Sequence, residues 1–115
     1  MLATVLSYGL LGIDGFPVTV EVNLSGGLPV FELVGLPDAA VRESRERVRA
    51  AMKNSGFGFP DDRLIVNLAP ADLKKEGPVF DLAIATGVVA AMGVIPLDAL
   101  RDIAVLGELS LDGSV

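Results

Sequence analysis

The chain has 115 residues, of which 51% are hydrophobic and 21% are charged, and this composition excludes an intrinsically disordered protein. Nine basic against 15 acidic residues give a net charge of −6, which argues against a surface built throughout to hold phosphates but leaves room for a local basic patch. Cysteine and histidine are absent, so disulfides, zinc sites, thiol nucleophiles and imidazole mechanisms are excluded together.

The first part of the chain predicts three strands. Residues 4–11 and 17–24 are rich in β-branched and aliphatic residues and predict a hairpin, with residues 13–15 as its turn. In the second strand, aliphatic side chains at alternate positions share one face, which should be the core face: Val18, Val20, Val22 and Leu24. Residues 29–34 predict a third, short strand.

A change of periodicity then predicts an amphipathic helix over residues 38–55. Its apolar and small side chains gather within an arc of about 100°: Val41, Ser44, Val48, Ala51, Met52 and Ser55. Pro37 and Asp38 suit the start of this helix, because proline has no amide to lose there and a carboxylate favours the positive end. Gly56 suits its left-handed end.

The second half of the chain predicts one more strand and a second helix. Residues 63–68 form the strand, and Gly77 and Pro78 open the helix. Residues 80–92 are apolar nearly all round, so we expect this helix to be covered on most sides, and Gly93 ends it. Residues 96–101 predict one further helical turn.

The last residues predict a hairpin that the chain does not complete. Residues 103–106 and 108–111 have strand character, and Asp112-Gly113 is a strong hairpin-turn signal. We therefore expect a single domain over residues 1–115 that is truncated before its last strand, with an open strand edge able to recruit another copy of the chain. A frayed natural C-terminus is the alternative interpretation.

The first helix carries a candidate contact surface, which we call the basic stripe. Its side chains fall within an arc of about 80° beside the apolar face: Arg42, Arg45, Arg49 and Lys53. Such a stripe could contact phosphates or the acidic surface of a partner. The alternative is a solvated helix flank, with Glu43 and Glu46 diluting the charge.

The loop before the second helix is a second candidate. Lys74 and Lys75 lie just before a predicted helix N-terminus, an arrangement that could hold an anion. No hydroxyl follows them at the helix start, and a capped helix behind a solvated loop is the alternative. Two acidic pairs, Asp61 with Asp62 and Asp72 with Asp81, could support acid–base chemistry only in a cleft, which the sequence does not indicate.

Three strings resemble the magnesium-chelatase-like AAA+ ATPase family, which includes ComM and YifB. They are GLPDAAVRESRERVRAAMKNSGF at residues 35–57, VNLAPADLKKEGPVFDLAIA at residues 66–85, and LGELSLDGS at residues 106–114. The resemblance covers essentially the whole chain and is to the N-terminal domain that precedes the ATPase module. No phosphate-binding G-x-x-x-x-G-K-S/T string occurs here, so the resemblance places ATP and magnesium in a module that this chain lacks.

The resemblance implies an α+β fold like that of the Lon proteolytic domain, which is shared with a ribosomal protein domain: a mixed sheet with helices packed on one side. Lon-type peptidases read K-D-G-P-S-A-G where this chain has Lys75-Glu76-Gly77-Pro78-Val79, so a valine replaces the serine nucleophile. A methyl group cannot attack a carbonyl, and the lysine that acts as base would lie beyond Val115. No catalytic, cofactor or metal residue is therefore expected, and the domain should not be an enzyme.

What the family implies is an ATP-driven ring motor, with DNA branch migration during natural transformation associated with its ComM-type members. For this chain the resemblance implies an accessory domain that takes part in ring assembly or contacts DNA. Its expected partners are its own ATPase module, neighbouring subunits and DNA, with no membrane partner and a cytoplasmic location. A residual Lon-like peptidase and a stand-alone anion-binding module around Lys74 and Lys75 are the alternatives.

Overall fold

The computed structural model of the chain describes residues 1–11 and 14–115. The secondary structure consists of strands β1 (Leu2–Leu11), β2 (Asp14–Ser25), β3 (Val30–Val34) and β4 (Arg63–Ala69), helices α1 (Ala39–Arg42), α2 (Ser44–Asn54) and α3 (Asp81–Ala91), and a short 3-10 helix, Leu97–Leu100. These elements confirm an α+β domain with a mixed sheet.

The four strands form one sheet in the order β1-β2-β4-β3. β1 and β4 pair antiparallel with β2, and β3 pairs parallel with β4, which confirms the predicted hairpin. Asp14 and Gly15, which the sequence predicts as turn residues, belong to β2 and pair with Leu11 and Leu10. Ile13, the first residue of the predicted turn, lies outside the described residues.

The core lies between one face of the sheet and helices α2 and α3. The alternating valines of β2, Val18, Val20 and Val22, are fully buried on this face, as their period of two predicts. Gly87 lets α3 approach the sheet closely, since a Cβ there would lie 2.5 Å from Cγ2 of Val22. α3 is buried on most sides, yet no helix of the described residues has the length and apolar character needed to cross a membrane.

The predicted first helix is two helices joined at Glu43. Asp38 caps α1 as expected, accepting a hydrogen bond from the Val41 amide at 2.8 Å. The carbonyl of Ala40 accepts Nη2 of Arg47 at 2.8 Å, so a side chain takes an oxygen that a continuous helix would offer to an amide. α2 ends where predicted, with Gly56 at a φ of 87°, whereas Ser55, predicted on the buried face, is exposed.

The second helix begins later than the sequence predicts. Gly77 and Pro78 precede α3, which starts at Asp81, and the residues between them form a turn in which the Asp81 amide bonds the Pro78 carbonyl at 3.2 Å. The helical turn predicted over residues 96–101 is present as the 3-10 helix.

Residues 103–115 differ most from the prediction. Neither predicted strand forms; within the described residues the segment makes only an isolated bridge between Ala104 and Leu6. Its backbone is instead bound to the start of α3, with the Gly107 amide on the Val79 carbonyl at 2.9 Å and the Leu82 amide on the Gly107 carbonyl at 3.0 Å. The edge strands among the described residues are therefore β1, which is bridged to Ala104, and β3, which pairs with no further strand; residues 108–111 are not a sheet edge.

Candidate functional site

The charged residues of the first helical region separate into an inward set and an outward set. Arg47 is the inward member: its side chain is 17% exposed and lies against Asp81, whose side chain is 0% exposed. Nε of Arg47 donates to Oδ2 of Asp81 at 2.6 Å and Nη2 donates to Oδ1 at 3.0 Å. This two-point geometry is the one in which arginine and carboxylate bind most strongly.

Two further groups complete this arrangement, which we call the polar centre. The hydroxyl of Ser44 donates to Oδ1 of Asp81, and the amide of Leu109 donates to Oδ2 at 3.1 Å. The hydrogen bonds that Arg47 donates to Asp81 raise the pKa of Arg47 and outweigh the opposing effect of burial. The polar centre thus joins α2, the start of α3 and the C-terminal segment. Its hydrogen bonds hold these three parts of the fold together.

Sequence reasoning placed Asp81 at a helix start and paired it with Asp72. The structure does not support that acid pair: Asp72 is exposed in the loop, whereas Asp81 is buried and bound by Ser44, Arg47 and Leu109. The signal that could have found the polar centre is the position of Ser44 and Asp81 on apolar helix surfaces, because a buried polar group needs a partner. Their separation of 37 residues hides that partnership in the sequence.

The predicted anion loop is divided by burial. Lys75 is fully buried and its ammonium group donates to the carbonyl of Pro70, whereas Lys74 is exposed and lies 4.0 Å from Glu76. Burial lowers the pKa of Lys75. The two lysines do not share one surface, so the loop does not present the double positive charge that the sequence suggested.

The loop backbone is fixed by the residues before α1. Oδ2 of Asp38 accepts the Gly77 amide at 3.2 Å, and the Asp38 amide donates to the Lys75 carbonyl at 2.9 Å. Val79, which replaces the serine of the Lon-type string, is half-buried and its carbonyl accepts the Gly107 amide. Within the part of the chain that the structure describes, no serine or threonine hydroxyl is hydrogen-bonded to a lysine amine.

The basic stripe is the outward set. Arg42, Arg45 and Lys53 are exposed, and within residues 1–11 and 14–115 none of the three forms an ion pair. Arg49 is partly covered: it lies 3.3 Å from Glu46, and its guanidinium sits 5.8 Å and 5.4 Å from the ring centres of Phe31 and Phe59. Sequence reasoning missed this aromatic support, since Phe31 lies on a distant strand.

The stripe runs beside β3, and two depressions lie between them. One, with a volume of about 220 Å³, is lined by Glu32, Leu33, Arg42 and Arg45. The other, with a volume of about 250 Å³, is lined by residues 29–31 and 59–62 together with Arg49 and Lys53. Asp61 and Asp62, offered by the sequence as an acidic pair, thus lie on the wall of this second depression. The exposed cations and the sheet edge form one continuous surface.

The chain as a whole is similar to known proteins. Residues 20–115 match the family described as subunit ChlI of Mg-chelatase. Over 114 residues, which are 99% of this chain, it is 45% identical to YifB of Salmonella typhimurium and 44% identical to YifB of Escherichia coli. It is 46% identical over the same length to competence protein ComM of Haemophilus influenzae. The chain spans 22% of the length of each of these relatives.

Proposed function

The chain belongs to the family of subunit ChlI of Mg-chelatase, and on this premise we propose that it is a non-catalytic accessory domain that contacts DNA through its basic stripe. The observation that supports DNA contact is the set of exposed cations without ion pairs among the described residues: Arg42, Arg45 and Lys53. The same surface is available to neighbouring subunits in ring assembly. By the resemblance, the domain is the N-terminal part of a longer protein.

The stripe fits a phosphate backbone despite the net charge of −6. Phosphate contacts are local, and each one that releases a counterion adds to affinity. Arg42 and Arg45 present guanidinium groups, which bind phosphate oxygens in a two-point geometry. Glu43 faces Arg47 at 3.7 Å and Glu46 faces Arg49. Glu32 lines the depression of Arg42 and Arg45 but forms no ion pair with either arginine among the described residues.

A non-catalytic role is supported by the residues around the Lon-like string. We also propose that the fold is like that of the Lon proteolytic domain. Val79 offers no nucleophile, the ammonium of Lys75 is bound to a carbonyl, and the hydroxyl of Ser44 is bound to Asp81. Incubation with an unfolded protein substrate tests the residual-peptidase alternative: sustained cleavage abolished by Ser44→Ala in a folded variant would overturn the non-catalytic assignment.

The stand-alone anion-binding alternative is weakened by the burial of Lys75, which leaves Lys74 as the exposed cation of that loop. The ATP-dependent ring motor, its magnesium and DNA branch migration are properties that the resemblance attaches to the longer family members. We assign them to parts of those proteins that this chain does not contain.

The DNA proposal is tested by charge reversal in the stripe. We expect Arg42→Glu with Arg45→Glu to weaken DNA binding, measured by fluorescence anisotropy, by about tenfold or more at moderate salt. The slope of log affinity against log salt should fall by roughly 0.9 for each phosphate that the variant no longer neutralises.

The matched control is charge reversal away from the stripe. Arg101→Glu with Arg63→Glu makes the same change in net charge at two exposed arginines. If this control weakens DNA binding as much as the stripe variant does, the effect is one of overall charge and the assignment to the stripe is wrong.

A further inference from the structure

The exposed edge of β3 has a defined hydrogen-bonding pattern. The Val30 amide donates to the carbonyl of Asp62 at 3.3 Å, so the backbone groups of Val30 face β4. Because backbone groups alternate along a strand, those of Glu32 and Val34 also face β4, and those of Phe31 and Leu33 face outward. Among the residues that the structure describes, no other strand pairs with this edge.

The geometry of the basic stripe matches the repeat of an added strand. Along β3, Arg42 and Arg45 lie beside Glu32 and Leu33, and Arg49 and Lys53 lie beside residues 29–31, so helix and strand run in opposite directions. Within α2, Arg45, Arg49 and Lys53 are spaced four residues apart, which separates them by about 6 Å along the helix axis. Alternate residues of a strand are separated by roughly 6.6 Å, so acidic side chains at every second position would meet successive cations.

We propose that β3 accepts an extended peptide with acidic side chains at alternate positions, which adds a fifth strand to the sheet. The outward N–H and C=O groups of Phe31 and Leu33 bind its backbone, and the stripe binds its acidic side chains. Two acids, Asp61 and Asp62, line the depression at the Lys53 end, against one, Glu32, in the depression of Arg42 and Arg45, so the strongest acidic preference falls beside these two arginines. This function goes beyond DNA contact, because it requires the strand edge as well as the cations.

Charge selects the occupant. A second copy that paired through its own β3 would place its helices on the same side of the joined sheet and bring two basic stripes together, where like charges repel. A neutral strand would satisfy the backbone groups but would leave the three exposed cations without partners. An acidic strand satisfies both sets of groups.

The test uses three synthetic peptides with the same sequence of alternating Glu and Thr. The parent peptide carries no N-methyl group, the second is N-methylated at every Glu, and the third is N-methylated at every Thr. Strand addition predicts that one methylated peptide binds this chain about tenfold or more weakly than the parent, because its methyl groups replace the N–H groups that face β3. The other methylated peptide should bind within about twofold of the parent.

The sensitive isomer also reports strand direction. In an antiparallel arrangement the residues opposite Phe31 and Leu33 donate to them, so methylation at Glu abolishes binding; in a parallel arrangement their neighbours donate, so methylation at Thr does. Either result supports the proposal. No binding of the parent peptide at millimolar concentration, or equal effects of the two methylations, overturns it.

Separate measurements of peptide binding and DNA binding distinguish this inference from the DNA proposal. Arg45→Glu should weaken binding of the parent peptide about fivefold, since it removes a charge-assisted hydrogen bond, and Arg101→Glu should leave it within about twofold. If the wild-type chain does not bind DNA but binds the peptide in a methylation-sensitive way, only the DNA proposal is refuted. Peptide binding of equal strength by the parent and by an alternating Lys–Thr peptide would refute the acidic preference.

Discussion

The polar centre and the basic stripe use the same residue type in opposite ways. Arg45, Arg47 and Arg49 lie within one stretch of α2, yet Arg47 is bound to a carboxylate that is 0% exposed and Arg45 is exposed to solvent. Removing one partner of a buried ion pair leaves an uncompensated charge, whereas an exposed arginine contributes little to stability. The buried ion pair of Arg47 therefore maintains this fold, whereas the exposed charge of Arg45 is available for binding.

We expect the largest effect on stability from removing the carboxylate of the polar centre. Asp81→Asn should lower the free energy of unfolding by about 3 kcal/mol, because Arg47 loses its counter-ion while Ser44 and Leu109 lose a charged acceptor. Urea denaturation measures the change, and Asp72→Asn, an exposed acid of the preceding loop, is the control. A loss no larger than that of the control would show that the polar centre contributes little to stability.

A direct exchange of roles sharpens the comparison. Arg47→Met should destabilise the domain by roughly 2 kcal/mol, and Arg45→Met should change its stability by less than about 0.5 kcal/mol. DNA binding should respond in the reverse order, with Arg45→Met weakening it and folded Arg47→Met leaving it near wild type. Urea denaturation measures the stability of the two variants, and fluorescence anisotropy measures their DNA binding. If the same variant is the more impaired in both assays, the two arginines do not have separate roles.

The smallest expected effect concerns neighbouring lysines that show the same contrast. Burial lowers the pKa of Lys75 below its ordinary value of 10.5, so the unfolded chain binds more protons than the folded chain in the interval just below that value. Stability contributed by this group therefore rises as the pH increases through that interval.

Denaturation of wild type and Lys75→Met at increasing pH checks this sign. The difference in unfolding free energy should move in favour of the wild type towards pH 10.5, and Lys74→Met, which changes the exposed neighbour, is the control. A constant difference between wild type and Lys75→Met would contradict the inferred effect of burial.

Local signals predicted the elements whose partners lie nearby in the chain. The period of two in β2, the cap at Asp38 and the glycine stop at Gly56 act within a few residues, and the structure confirms all three. The stripe was also predictable, because helical periodicity alone groups its cations on one side. The predicted strands in residues 103–111 were wrong: Ala104 makes an isolated bridge with Leu6 of the edge strand β1, and Gly107 is bound to the start of α3 instead.

The amino-acid sequence by itself determined the core face of the hairpin, the family and, apart from the break in the first helix, the order of strands and helices up to residue 101. Only the tertiary structure decided which charges are buried: Arg47 and not Arg45, Lys75 and not Lys74. It also decided that β3 is an edge strand of the sheet and that the stripe lies beside it. The physical reason is that burial and pairing depend on groups distant in the chain, such as Asp81 for Ser44, whose approach no local pattern encodes.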